Sequence, residues 1–331
     1  MTSLHPRHPS LAAVAAAVAA LGLALGARAE APSPITYAAD VPMIEADGGL
    51  PCLQVQVADG SSALFAVDTG NTRAVVDTKV AKAAGLILVA LPPPMPSDVY
   101  KTSLPALRIG ALALPVDKAL VADFAKNQLP ADLGGTLGYT VFKDRAVQLD
   151  FIGHRIRISA PLTAPAMLPG RVDRWSAITF GKQGPPIVVA RGFEVGGMPI
   201  TAQVDTMFTG STVIYDASIA RLGFSGLAAT KETEFFPLTD GGVKMLAVRV
   251  PSESFRGAAL GGDNPKLYFP TPGVHQPDAL FDATVGLELL KHSILTLDFH
   301  DMLISVSGSG GEPGWVGPAS GSAAHAGPNA E

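Results

Sequence analysis

The sequence predicts an all-β protein built as two homologous lobes, and three observations carry that expectation. Its 35 glycines and 28 prolines punctuate a composition that is 47% hydrophobic, the pattern of short strands and turns rather than long helices. An apolar run that ends in Asp-Thr occurs twice, as Leu64–Val67 leading to Asp68-Thr69 and as Ile200–Val204 leading to Asp205-Thr206. Each run is followed by a second shared element: Thr136-Leu137-Gly138 and Leu149-Asp150-Phe151 match Thr284-Val285-Gly286 and Leu297-Asp298-Phe299 at a constant shift of 148. That period is far above the repeat length of a solenoid, so it describes two lobes rather than an array. A chain of 331 residues has enough material for two cores.

The elements follow in chain order. Residues 1–29 combine Arg7, an apolar run from Leu11 to Leu25 and the small-residue exit Ala27-Arg28-Ala29, which reads as a cleaved secretory signal. The run of about 15 apolar residues is shorter than the roughly 20 that span a bilayer, so no stable membrane insertion is expected after cleavage. The first lobe is expected over 35–160. Leu53–Val57 alternates with period two, Asp59-Gly60 supplies a turn, and Ala63–Val67 returns to deliver Asp68 to a loop. Ala74–Val76 reads as a buried strand and Thr78–Ala84 as a helix stopped by Gly85. A Pro-rich break at Leu91–Pro96 precedes short strands from Tyr100 to Asp123 with a turn at Gly110, part of which is a candidate hairpin over a cleft. Residues 161–174, with Pro161, Pro165 and Pro169, read as a linker, and the second lobe is expected over 175–307. Residues 308–331 are Gly, Ser, Ala and Pro around a lone Trp315 and read as a disordered tail.

Charge and cysteine content exclude several classes. The full chain carries a net charge of −5; loss of Arg7 and Arg28 with the signal leaves 22 cations against 29 anions, or −7, which opposes nucleic-acid binding. The lone Cys52 cannot form an internal disulfide, so it reads as a small buried hydrophobe and the fold rests on packing.

Ala66-Val67-Asp68-Thr69-Gly70, followed by Val75-Val76, Leu137-Gly138 and Leu149-Asp150-Phe151, resembles the retropepsin-like and pepsin-like aspartic proteases, and the resemblance covers most of residues 41–307 as two copies. It implies β-barrel lobes with a cleft between them that each give one aspartate to a shared site, Asp68 and Asp205. It further implies that Thr69 and Thr206 lock the two loops together and that Gly70 permits close backbone approach. Gly138 and Gly286 would let a neighbouring strand cross behind each loop. In such a site two carboxyls share one proton and activate a water, with no metal and no other cofactor. The expected protein is a periplasmic or secreted aspartic endopeptidase, monomeric because both lobes are in one chain, acting on protein or peptide in extended conformation.

Two departures stand out. Met207 occupies the place of Gly70 in the second copy, and Asp205 is one residue farther from Val213-Ile214 than Asp68 is from Val75-Val76. A side chain at Met207 would misplace Asp205, unless Phe208-Thr209-Gly210 is a bulge that moves the flexible residue downstream. Two other readings therefore stay open: a non-catalytic peptide-binding pseudoprotease, and a single working lobe that dimerises through Asp68. Other chemistries have less support. No histidine pair has the spacing of a zinc protease, His300-Asp301 reads as a turn, there is no Gly-x-Ser-x-Gly elbow, and Asp150 and Asp298 read as structural.

Overall fold

The alternation in Leu50–Val57 becomes a strand whose polar Gln54 and Gln56 face out while Leu53, Val55 and Val57 are buried. The computed structural model describes residues 33–57, 60–92, 96–116, 118–164, 166–179, 186–226, 232–236, 243–262, 265–271 and 280–308. Leu50–Val57 pairs antiparallel with Ser61–Val67, which in turn lies parallel to Leu133–Leu137. Leu133–Leu137 also pairs antiparallel with Val75–Asp77. A helix follows at Thr78–Ala83, one residue shorter than expected. Asp77 caps it by accepting the Lys79 N–H at 2.8 Å, and Gly85 leaves it at φ +65°.

The second half repeats this order of pairing. Pro186–Val195 pairs antiparallel with Met198–Val204, Met198–Val204 lies parallel to Ala283–Val285, and Ala283–Val285 pairs antiparallel with Thr212–Ile214. A short helix at Asp216–Ile219 again follows the third strand.

The described residues are predominantly β, as the sequence predicts, in one ten-stranded and one fifteen-stranded sheet and a two-stranded pair. The larger sheet includes a band that draws on both halves: Tyr37–Pro42, Arg155–Ser159, Ala146–Asp150, Ser293–Asp298, Leu303–Gly308 and Arg171–Thr179. At its centre Gln148 faces Thr296, its own counterpart at the shift of 148, and donates to the threonine hydroxyl at 3.1 Å. Residues therefore pair about a local two-fold, and apolar side chains on both sides merge into one core cluster. Tyr139, Trp175 and Phe299 stack edge to face at the same junction, with ring centroids 5.5–6.1 Å apart.

The expected linker is partly strand. Ala166–Met167 pairs with Ser33–Pro34, and residues 171–174 already pair with Leu303–Val306. Leu107–Ile109 and Leu112–Leu114 form the hairpin turning at Gly110, and Arg108 pairs with Gln56 at the outer edge of Leu50–Val57. Asp150 accepts the Gly153 N–H and pairs with Arg157, while Asp298 accepts the N–H groups of His300 and Asp301, so both carboxylates organise turns. Cys52 is free and fully buried, and burial pushes its thiol up to about 12. Among the described residues no helix is long and apolar enough to cross a membrane. The expected signal over 1–29, residues 93–95 of the Pro-rich break, and 309–331 of the expected tail with Trp315 lie outside the described residues.

Candidate active site

Asp68 and Asp205 leave their strands in the same way. The Asp68 N–H donates to the Leu137 carbonyl at 2.9 Å and the Asp205 N–H to the Val285 carbonyl at 2.9 Å, so the strand that leads to Gly138 or Gly286 anchors the aspartate of its own half. Each aspartate carbonyl then accepts from the residue three on, Asn71 and Phe208, both at 3.3 Å. Gly138 and Gly286 lie hard against these loops. A methyl built on Gly138 would be 2.5 Å from the Arg73 carbonyl oxygen, and one on Gly286 2.3 Å from that of Phe208.

Thr69 and Thr206 tie the two loops reciprocally. The Thr69 hydroxyl donates to the Val204 carbonyl at 2.7 Å and accepts the Thr206 N–H at 3.1 Å. The Thr206 hydroxyl donates to the Val67 carbonyl at 2.5 Å and accepts the Thr69 N–H at 3.1 Å. Each hydroxyl proton is thus committed to a carbonyl, and the 3.4 Å approach of the two oxygens is a consequence of the lock, not a further bond. Four buried crossing bonds, worth about 1 kcal/mol each, hold the loops in one register.

The two aspartates are brought near each other within this frame. A methyl on Gly70, two residues past Asp68, would sit 2.3 Å from Asp205 Cγ, so the first loop abuts the second aspartate directly. Burial raises the Asp68 carboxyl well above its usual range, the charge of Asp205 raises it further, and donors from Asn71 and Gly70 oppose the shift. Burial likewise raises Asp205, opposed by the N–H groups of Met207 and Phe208, which reach Oδ1 at 2.9 and 3.2 Å. Desolvation favours the protonated form of both carboxyls, and their titration belongs to the pair.

The second loop keeps register where it matters. Tyr139 N–H donates to the Asn71 carbonyl and Leu287 N–H to that of Phe208, equivalent bonds at the same offset. The next pair differs: Thr140 N–H reaches Thr72, but Glu288 N–H reaches Gly210. Thr209 is therefore the extra residue, and Asp205–Phe208 stays aligned with Asp68–Asn71. Met207 offers its backbone N–H to Asp205 while its side chain packs against the core.

Several site groups escape a motif reading. Asn71 supports Asp68 through its side chain. Gln203, whose counterpart is Ala66, donates across to the Gly70 carbonyl at 3.2 Å. Comparing the two copies position by position exposes Gln203 as a polar residue in an apolar frame. Glu253 is 1% exposed and accepts the Ser211 hydroxyl at 2.6 Å, bracing the second loop from behind; its other oxygen has no partner. Burial raises Glu253 to about 7, with a smaller contribution from the charge of Glu288. Because its folded value exceeds the unfolded 4.5, its contribution to stability is present below about pH 4.5 and is lost as pH rises through about 7. Glu253→Gln is expected to flatten that loss, leaving the variant more stable by up to about 3 kcal/mol at pH 8 and not at pH 4. Urea unfolding at both pH values checks this.

His300 and Asp301 lie 3.2 Å apart at the turn after Asp298, and among the described residues no group of three or more His, Cys, Asp or Glu is placed to hold a metal ion.

The fold and site together define a β protein in which two strand-end loops, cross-linked by threonine hydroxyls, each carry an aspartate. No family model matches the chain, and no curated protein matches it. Among solved structures, the crystal structure of edgp aligns over 84% of this chain and 96% of its own, at 12% sequence identity and a TM-score of 0.44.

Proposed function

We propose that this protein is an exported aspartic endopeptidase with two homologous pepsin- or retropepsin-like lobes, using Asp68 and Asp205 as one catalytic pair. The observation that carries the reading is a pair of strand-end aspartates, both raised by burial, on loops locked by reciprocal threonine bonds, with Gly70 of the first loop against the Asp205 carboxyl of the second. In the singly protonated pair, the ionised carboxylate takes a proton from water as the water oxygen attacks the peptide carbon. The protonated carboxyl gives its proton to the carbonyl oxygen, forming a neutral gem-diol. Collapse of the diol returns its proton to the pair, the amide nitrogen takes up a proton, and the C–N bond breaks. Gly70 contributes by letting the loops close to this distance, and Met207 by its backbone donor to Asp205.

An extended peptide, held through its backbone, is the substrate class that such a site between two β lobes accommodates. The apolar run and small-residue exit within 1–29 support export to the periplasm or beyond, and both half-sites in one chain support a monomer. The test is cleavage of an unfolded protein by the purified mature chain. Turnover that pepstatin suppresses is the expected result; peptide binding without cleavage would replace this reading with that of a pseudoprotease.

A further inference from the structure

The reciprocal lock treats the two loops alike, but one cross-link does not. Gln203 reaches from the second half to the Gly70 carbonyl, whereas its counterpart in the first half is Ala66, which can send nothing back. Behind Gln203 the polar chain continues. Thr284 lies beside it in the parallel register and its hydroxyl is 3.4 Å from Gln203 Oε1, and the Tyr215 hydroxyl is 2.7 Å from that of Thr284.

The direction of every proton in this chain is fixed by its end. A carbonyl only accepts, so the Gln203 amide nitrogen faces Gly70 and its oxygen faces Thr284. Thr284 must then use its single proton on Gln203, which leaves Tyr215 as the donor to Thr284. Tyr215 is held in place by its own N–H to the Asp282 carbonyl at 3.0 Å and by edge-to-face packing on Phe281, with centroids 5.7 Å apart. It also senses the pair: besides burial, the charge of Asp205 disfavours ionisation of its phenol. Among the described residues the first half shows no such chain. Thr136, the counterpart of Thr284, is buried with its hydroxyl unpartnered, and Asp77, the counterpart of Tyr215, is turned to the Lys79 and Phe124 N–H groups.

We propose that Tyr215, Thr284 and Gln203 form a positioning chain that acts on one side of the carboxyl pair, holding Gly70 against Asp205 and making the two aspartates chemically unequal. Gly70 has no side chain with which to be gripped, so its carbonyl is the handle. The donor chain fixes that handle without adding charge next to the carboxyls. This rests on the reading of Asp68 and Asp205 as the catalytic pair, although the mechanical part does not require turnover.

The experiment compares wild type with Gln203→Ala, Tyr215→Phe and Thr284→Val, with Thr136→Val as the control at the unpartnered counterpart. Two readouts are taken: steady-state cleavage of an unfolded protein across pH, and carbon-13 NMR titration of the Asp68 and Asp205 carboxyls. Each chain variant is expected to lower kcat about tenfold with KM changed less than about twofold, and to move the carboxyl titrations, whereas Thr136→Val moves neither. Tyr215→Phe removes one oxygen and keeps the ring, so it serves if Gln203→Ala fails to fold. If wild type cleaves and the chain variants match it in both readouts, the chain is overturned and the protease reading stands. If wild type does not cleave, the protease reading fails and the titrations decide alone: shifted carboxyls in the chain variants support the positioning role, and unchanged ones overturn it.

Discussion

Asp68→Asn and Asp205→Asn are each expected to abolish hydrolysis while making the fold more stable at neutral pH. On the proposed mechanism each removes one partner of the acid–base pair, and general acid–base catalysis supplies roughly 10²–10⁴-fold, so a fall of at least about 10³-fold is expected for either. The stability effect has the opposite sign because both carboxyls are raised in the folded state. A raised acid contributes stability below its unfolded value of 3.8 and loses it as pH rises through its folded value. Asn keeps the shape and cannot ionise, so it escapes that loss. The gain should be present at pH 8 and should shrink towards zero near pH 3. Cleavage assays and thermal unfolding at the two pH values test both halves. A variant that keeps near wild-type turnover would sink the paired mechanism, and one destabilised at pH 8 would contradict the crowding of the carboxyls.

Gly70→Ala is expected to cost more than its size suggests. Its methyl would lie 2.3–2.5 Å from three atoms of the Asp205 carboxyl, far inside van der Waals contact. The constraint is one of space, because Gly70 is not among the residues at positive φ. Relief requires the loops to part, which the Thr69 and Thr206 bonds resist. A displacement of the order of 1 Å between the carboxyls corresponds to about 10²-fold in rate, and overpacking of this kind destabilises by about 1–3 kcal/mol. Measured kcat within a few-fold of wild type would mean that the loops are not in the contact described. The neighbouring departure has a different outcome: Met207 stands at the matching position in the second copy, and its loop still delivers two N–H donors to Asp205. What the centre requires there is the backbone, and a methionine backbone supplies it.

The same contrast runs through the rest of the molecule. Period-two alternation in Leu53–Val57, the turn at Gly60 and the helix after Asp77 are local properties, set by side-chain facing, positive φ and a capping carboxylate, and a single pass along the chain reads them. The repeated Asp-Thr runs were legible for the same reason, since duplication leaves matching residues at matching offsets. The strand character of residues 171–174 was not legible, because Pro165 and Pro169 dominate the local signal while Val306, the pairing partner of Arg171, lies 135 residues away. Nor was Glu253 legible as a brace: a lone glutamate in a short strand looks solvated until Ser211 is folded onto it.

By itself, then, the sequence determined the β class, the duplicated architecture as an expectation, and Asp68 and Asp205 as the residues to watch. Only the tertiary structure decided that Thr209 is the inserted residue, that Gly70 is needed for space, and that Gln203 ties one loop to the other. Those outcomes depend on bonds and contacts between residues far apart in the sequence, whose distances and directions are set by how strands pair and not by any local pattern.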